Sequence, residues 1–373
     1  MPAAKERSGV YNVKESGLEY EHIKAEPPTP RDGEEFLQRF REGFEMNILQ
    51  DEGDELVFEL IGCDTSFANA LRRILLAEVP TVALEYVYMW NNTSLIHDEV
   101  LAHRLGLVPL NVDARLFDTM EDGEDATDRN TVVFQMKVSC GKGPAKGKRG
   151  EDSEDIAELD AAVLENPRLD KAALAAARKE AIETPGRPYT KHVYSKDLIW
   201  MPQGDQEQRF PQGIRPVHDN ILLAKLRPGQ EIELEAHGRV GIGRDHAKYS
   251  PVATACYRLA TEVKILEPIF DEDAEELVHL YEPGVFELVP SSVPGKRVEA
   301  KVCNPYACTM SRNFMRNPTL EKSIKMTRIP DHFIFSVESV GMQKPGVLVA
   351  EALRVLQAKC SGLIELVEEQ MQS

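Results

Sequence analysis

Two periods organise the apolar positions along the chain, and each marks out its own elements. Leu56, Phe58 and Leu60 alternate with Val57, Glu59 and Ile61, the two-residue rhythm of a strand, and the turn-like Gly62-Cys63-Asp64 ends it. Beyond the turn, Phe67, Ala70, Leu71, Ile74 and Leu75 recur at the i, i+3, i+4, i+7, i+8 spacing of one helical face. Leu76 widens that face, and Asn69, Arg72 and Arg73 stand off it. Thr65 or Asp64 supplies an N-cap and Pro80 a stop, so the pattern predicts a helix over 66–79. Taken alone, such a helix reads as an ordinary core element.

Val82 to Met89 reads as a further strand, and IHDEVLAHRLGLVPL opens as a helix. TVVFQMKVSC and PDHFIFSVESVG are strand-like, as is KLRPGQEIELEAHGRV, with Pro228-Gly229 as its turn. The chain closes on a second long helix over 347–367, whose apolar residues fall at Val349, Ala352, Leu353, Leu356, Cys360, Leu363, Ile364 and Val367. At ~1.5 Å per residue such a helix extends roughly 30 Å, about the diameter of a small domain. Part of its seam should therefore project past its own sheet, and an exposed seam of that size calls for a partner.

Two regions interrupt this patterning. Residues 1–44 mix charges with Pro27, Pro28 and Pro30 and offer only Phe36, Leu37, Phe40 and Phe44 for packing, which suggests an extended arm with one short amphipathic segment. Between 117 and 188 the blocks DTMEDGEDATD, GKGPAKGKRG and EDSEDIAELD carry runs of one sign, followed by the alanine-rich DKAALAAARKEAIE. The runs read as solvated loops and the alanine-rich piece as a surface helix. Composition then narrows the function. With 44 Lys and Arg against 62 Asp and Glu the net charge is −18 and the pI near 5.1, so autonomous nucleic-acid binding is disfavoured. No apolar run reaches membrane-spanning length and the first residues lack a secretory h-region, which points to the cytosol or nucleus. Cys63, Cys140, Cys256, Cys303, Cys308 and Cys360 are too scattered for a disulfide framework and read as reduced thiols.

Candidate chemistry is thin. Cys303 and Cys308 invite an iron–sulfur reading, but two thiolates fall short of the four that a standard cluster takes. His97, Asp98, Glu99 and His103 do not form H-E-x-x-H, and histidines six apart lie on different helix faces. Gly238, Gly241 and Gly243 reverse the dinucleotide fingerprint and read as a loop. No G-x-S-x-G, Walker-type loop or other catalytic constellation is present, so no catalytic, cofactor or metal residue is assigned.

The segments FELIGCDTSFANALRRILLAEVPTVALEYV, HDEVLAHRLGLVPL, VYSKDLIW, LRPGQEIEL and GIGRDHAKYSPVATACYRL, in this order, resemble the alpha-type subunit of cellular multisubunit RNA polymerases. Where the RNA polymerase II counterpart carries a cysteine-rich zinc loop, this chain has only Cys140. Residues 268–325 resemble the ferredoxin-like insertion of archaeal relatives and of the larger alpha-like subunit shared by RNA polymerases I and III, and the shared subunit fits best. The resemblance implies an α+β fold with a discontinuous dimerisation domain (45–82, 257–267, 326–373), a mostly β insert domain (83–256) and a small ferredoxin-like insert without a cluster. It also implies a non-catalytic architectural role in the nucleus, including the nucleolus, in ribosomal RNA, 5S RNA and transfer RNA synthesis. The expected partners are a smaller alpha-like subunit, as obligate heterodimer, and the two largest subunits among the other subunits of polymerases I and III; nucleic acid is met only through the complex. Carried over by the resemblance, the dimer interface takes Phe67, Ala70, Leu71, Ile74, Leu75, Leu353, Leu356, Leu363 and Ile364, and large-subunit contacts take Asn69, Arg72 and Arg73. Two other readings stay open: an archaeal-type alpha-like subunit with an iron–sulfur cluster, which metal analysis would expose, and an independent metal-dependent enzyme, which activity of the isolated chain would expose.

Overall fold

A computed structural model describes residues 9–15, 17–22, 33–120, 123–141 and 190–372. In chain order its strands are β1 (Gly9–Lys14), β2 (Gly17–His22), β3 (Glu45–Glu52), β4 (Glu55–Ile61), β5 (Pro80–Asn92), β6 (Thr131–Ser139), β7 (Lys191–Tyr194), β8 (Ile199–Trp200), β9 (Leu222–Leu226), β10 (Glu231–Ile242), β11 (Val252–Ile265), β12 (Phe286–Pro290), β13 (Val298–Val302) and β14 (Ile324–Ser339). Its helices are α1 (Gly33–Gly43), α2 (Thr65–Ala77), α3 (Asp98–Gly106), α4 (Gln206–Arg209), α5 (Asp271–Leu280), α6 (Pro318–Ser323) and α7 (Pro345–Gln372). The fold is α+β. Two compact units are distinguishable, one of residues 1–74, 254–338 and 356–373, the other of 75–253 and 339–355.

The first unit is built on a six-stranded sheet of order β2-β1-β14-β4-β3, with β11 also paired to β14. Its central strands come from opposite ends of the sequence, which makes the sheet discontinuous along the chain. The β14–β4 register sets Phe335 opposite Phe58, and the two buried rings stack at 5.0 Å. Such a cross-strand aromatic pair stabilises a sheet beyond its area burial. Glu59 is buried in the same strand, where Asn47 Nδ2 donates at 3.0 Å, Tyr306 Oη donates at 3.0 Å and His332 Nε2 lies 2.7 Å away. Burial alone would raise its pKa, yet these hydrogen bonds together hold the carboxyl below its ordinary range. A second core in this unit gathers Leu277, Phe286, Phe314 and Leu320 from the 268–325 segment with Met326 of β14, and β12 and β13 form its hairpin.

The second unit holds a four-stranded sheet of order β5-β10-β6-β8 and a two-stranded β7-β9 pair. Every other residue of β10 is buried (Ile232, Leu234, Ala236), the mark of a sheet with one face on the core.

Several expectations change. The segment read as an arm contains the β1–β2 hairpin, which extends the six-stranded sheet and buries Val10 and Val13; α1 occupies the place of the short amphipathic segment. Pro228-Gly229 does form a turn, with Gln230 N–H donating to Arg227 carbonyl at 2.9 Å and Gly229 at φ +88°. The strands it joins nevertheless enter different sheets, β9 with β7 and β10 with β5 and β6. Gly238 and Gly241 lie inside β10, not in a loop. A Cβ on Gly241 would stand 2.5 Å from the Tyr249 ring, and one on Gly243 would stand 2.2 Å from the Leu76 carbonyl oxygen, so the spacing reflects close packing. The alanine-rich helix expected near 170–183 and the basic run after Gly141 lie outside the described residues.

Candidate subunit interface

Helix α2 begins where Asp64 caps it: Ser66 N–H donates to Asp64 Oδ1 at 2.8 Å, and Phe67 N–H donates to the Asp64 carbonyl at 3.1 Å. Its apolar face divides into two parts. Leu71, Ile74 and Leu75 are buried in the chain itself, Leu71 to 1 % exposure. Phe67 and Ala70 are half-buried, and Phe67 meets Phe40 and Phe44 edge-on at 6.0 and 5.9 Å. Of the expected interface positions on this helix, Leu71, Ile74 and Leu75 are thus covered by the chain itself, and Phe67 and Ala70 are the ones that stay partly open. Leu71→Asp would bury a carboxylate without a partner, and we expect it to abolish recovery of folded chain by size-exclusion chromatography.

On the polar side, Asn69 Oδ1 accepts from Arg72 Nε at 3.1 Å and from Arg72 Nη2 at 2.9 Å, which fixes the half-buried guanidinium along the helix. Arg73 is exposed. The sequence placed these residues off the apolar face; their mutual bond follows from the i, i+3 spacing.

Helix α7 spans 28 residues, on the order of 42 Å. Leu348, Val349 and Ala352 are buried and Leu356 is half-buried, but Leu353 is exposed and the apolar side chains from Leu363 onward stand in solvent. Leu363 is 63 % exposed, Ile364 58 %, Leu366 60 %, Val367 57 % and Met371 82 %. Leu366 and Met371 were missed by the sequence reading, although both continue the apolar pattern. The edge strand β3 adds exposed Met46, Ile48 and Leu49, also missed because alternation there is broken by a bulge between Ile48 and Gln50.

Among the described residues no three His, Cys, Asp or Glu side chains group as metal ligands, and no helix is long and apolar enough to cross a membrane. All six cysteines are free; Cys308 is buried and Cys303 exposed. Burial, with Asp331 and Asp64 nearby, pushes the Cys63 thiol up to about 11.

Comparison with known proteins gives this geometry a family. The model of the RNA polymerase Rpb3/Rpb11 dimerisation domain matches residues 57–360. The human DNA-directed RNA polymerases I and III subunit RPAC1 is 44 % identical over 330 residues, 88 % of this chain and 85 % of its own. Its counterpart of the same name in Saccharomyces cerevisiae is 40 % identical over 332 residues, 88 % of each chain. The RNA polymerase II subunit rpb3 of Dictyostelium discoideum is 28 % identical over 329 residues, 86 % of this chain and 93 % of its own. The chain thus belongs to the RNA polymerase Rpb3/Rpb11 dimerisation-domain family, as an alpha-like polymerase subunit similar over most of its length to the one shared by polymerases I and III.

Proposed function

We propose that the chain is a non-catalytic architectural subunit of RNA polymerases I and III, pairing obligately with a smaller alpha-like subunit to form the platform on which the two largest subunits assemble. The observation that carries this reading is the exposed apolar end of α7. Burying a leucine or isoleucine is worth about 1.5–3 kcal/mol, so the exposed seam offers a gross term on the order of 10 kcal/mol before association entropy is subtracted. A chain of net charge −18 stays soluble around such a seam, but only a permanent partner justifies keeping it. Phe67 and Ala70 on α2, with Leu353, Leu356, Leu363 and Ile364 on α7, would line the dimer contact, and Arg72 and Arg73 would face a large subunit, where a guanidinium fork suits carbonyls and carboxylates. Names of the relatives, subunits of RNA polymerases I and III, support the nucleus as the site of action; the nucleolus and the synthesis of ribosomal, 5S and transfer RNA are part of the proposed role.

Affinity purification of the full-length tagged chain from its native cells is the test. The expected result is stoichiometric recovery of one smaller alpha-like protein together with the largest subunits of both polymerases. Recovery as a lone monomer, or with the subunits of polymerase II alone, would overturn the proposal.

A further inference from the structure

Several arginines meet a carboxylate, among them Arg239 at Glu85, Arg115 at Asp113, Arg209 at Asp205 and Arg354 at Glu351. Three that gather around the 306–312 segment of the first unit do not. Arg258 on β11 and Arg328 on β14 come from paired strands, and Arg312 lies in the connection that follows Cys308. Arg258 Nη1 donates to the Cys308 carbonyl at 3.2 Å and its Nη2 to the Tyr306 carbonyl at 2.5 Å. Arg312 Nη1 donates to the Glu15 carbonyl at 3.3 Å. Arg328 Nε rests against the Met310 thioether, a weak acceptor that offers a cation little. Met310 holds this position with a left-handed backbone, φ +68°.

No ion pair joins any of the three to a described carboxylate. Glu282, the acid that faces this loop, is engaged by Thr309 Oγ1 and, at 3.4 Å, by Thr309 N–H. The buried Cys308 thiol is pushed up by burial and so stays protonated, supplying no counter-charge. Burial first, and then the charges of Arg258 and Arg312, depress the Arg328 guanidinium, so the three cations sense one another. In a chain of net charge −18, an unmatched cluster of this kind runs against the mean charge and leaves Arg258 and Arg312 open to solvent.

We propose that Arg258, Arg312 and Arg328 form a receptor for a phosphate-class oxyanion. Guanidinium forks match the oxygen geometry of phosphate, and a phosphoryl group carries more charge and one more acceptor oxygen than a carboxylate, which suits three cations better than one acidic side chain does. The source is either free phosphate or a phosphorylated side chain of another polypeptide, and the shared chemistry is the phosphoryl group.

The full-length chain would be titrated with inorganic phosphate and pyrophosphate by calorimetry and thermal melting, at constant ionic strength against chloride. A second arm would use a phosphoserine peptide and its unphosphorylated parent. Saturable binding with a rise in Tm above the chloride control is expected. Arg312→Gln should weaken it roughly tenfold, and Arg328→Lys, which keeps the charge and loses the fork, should weaken it too. In chloride alone Arg312→Gln should melt no lower than the parent, because it relieves repulsion; that keeps a folding defect apart from a binding defect. Tighter binding of the phosphopeptide than of inorganic phosphate would assign the source to a phosphorylated polypeptide, and equal binding would assign it to free phosphate. Equal shifts in phosphate and chloride, or unchanged phosphate binding in both variants, would overturn the proposal.

Discussion

Replacing Leu363 and Ile364 together by aspartate is expected to abolish co-purification of the smaller alpha-like subunit while the chain's own melting temperature stays near that of the parent. Both side chains stand more than half in solvent, so the folded chain loses almost no buried area when they become polar, and exposed substitutions of this kind usually change stability by no more than about 0.5 kcal/mol. In the proposed heterodimer the same positions would bring two carboxylates into an apolar seam. Each would forfeit about 1.5–3 kcal/mol of side-chain burial and add the penalty of desolvating a charge, together worth several orders of magnitude in affinity. Co-expression with the smaller subunit, followed by stoichiometry from size-exclusion chromatography with light scattering, reads the outcome. Stoichiometric pairing of the double variant would remove α7 from the interface, and a large drop in melting temperature would show that the seam is covered by the chain itself.

Leu71→Asp makes the contrast. The 3.6-residue period puts Leu71 and Leu363 on equally apolar faces, and nothing in the pattern says which face its own sheet will cover. Periodicity reports the direction of an apolar stripe, and length reports how far a helix outruns its support. The terminal helix was therefore legible as one that leaves apolar side chains exposed, because six turns of seam exceed what a small domain covers, whereas the short α2, taken alone, read as core, which fits Leu71, Ile74 and Leu75 but not the half-buried Phe67 and Ala70.

The sheet was legible only in part, for a related cause. Leu56, Phe58 and Leu60 are legible because β4 is paired on both sides and buries that face fully, while Val57 and Ile61 on the opposite face are only partly covered. The β1–β2 hairpin lies among charges and near prolines, and its buried Val10 and Val13 stand three residues apart, which fits no two-residue rhythm; pairing with β14 is what makes them core positions. Tertiary partners decide strand formation more than local propensity does. The same holds for Pro228-Gly229, where the turn is local and visible but the destination of each strand is not. The motif GIGRDHAKYSPVATACYRL was informative as a resemblance, yet its physical content emerges only when Gly241 is seen against the ring of Tyr249 and Lys248 against Glu85.

That last contact supports the second large effect, an expected loss of about 2–3 kcal/mol of stability on Glu85→Ala, below the range found when a fully buried ion pair loses one member because the Glu85 side chain is 25 % exposed. Glu85 Oε1 lies 3.2 Å from Arg239 Nη2, and its Oε2 accepts from Tyr249 Oη at 2.8 Å and pairs with Lys248 Nζ. Lys248 also donates to the Leu84 carbonyl at 2.9 Å, and its side chain is only 13 % exposed. Burial alone would raise the Glu85 carboxyl, but the bonds from Lys248 and Tyr249, with the charges of Lys248 and Arg239, bring it below its ordinary range. Alanine leaves Lys248 and Arg239 as neighbouring, largely covered cations with no carboxylate between them, and leaves the buried Tyr249 hydroxyl without its acceptor. Glu85→Gln keeps an acceptor for Tyr249 and removes only the charge, so it should cost less than alanine does. Lys248→Met in the Glu85→Ala background should recover part of the loss, because it withdraws the stranded cation instead of adding a contact. Urea unfolding of the parent, Glu85→Ala, Lys248→Met and the double variant, compared as a double-mutant cycle, measures this coupling. Additive losses would mean that water, not Glu85, solvates Lys248, and that the lysine in this motif contributes through its Leu84 hydrogen bond and its packing over Tyr249 alone.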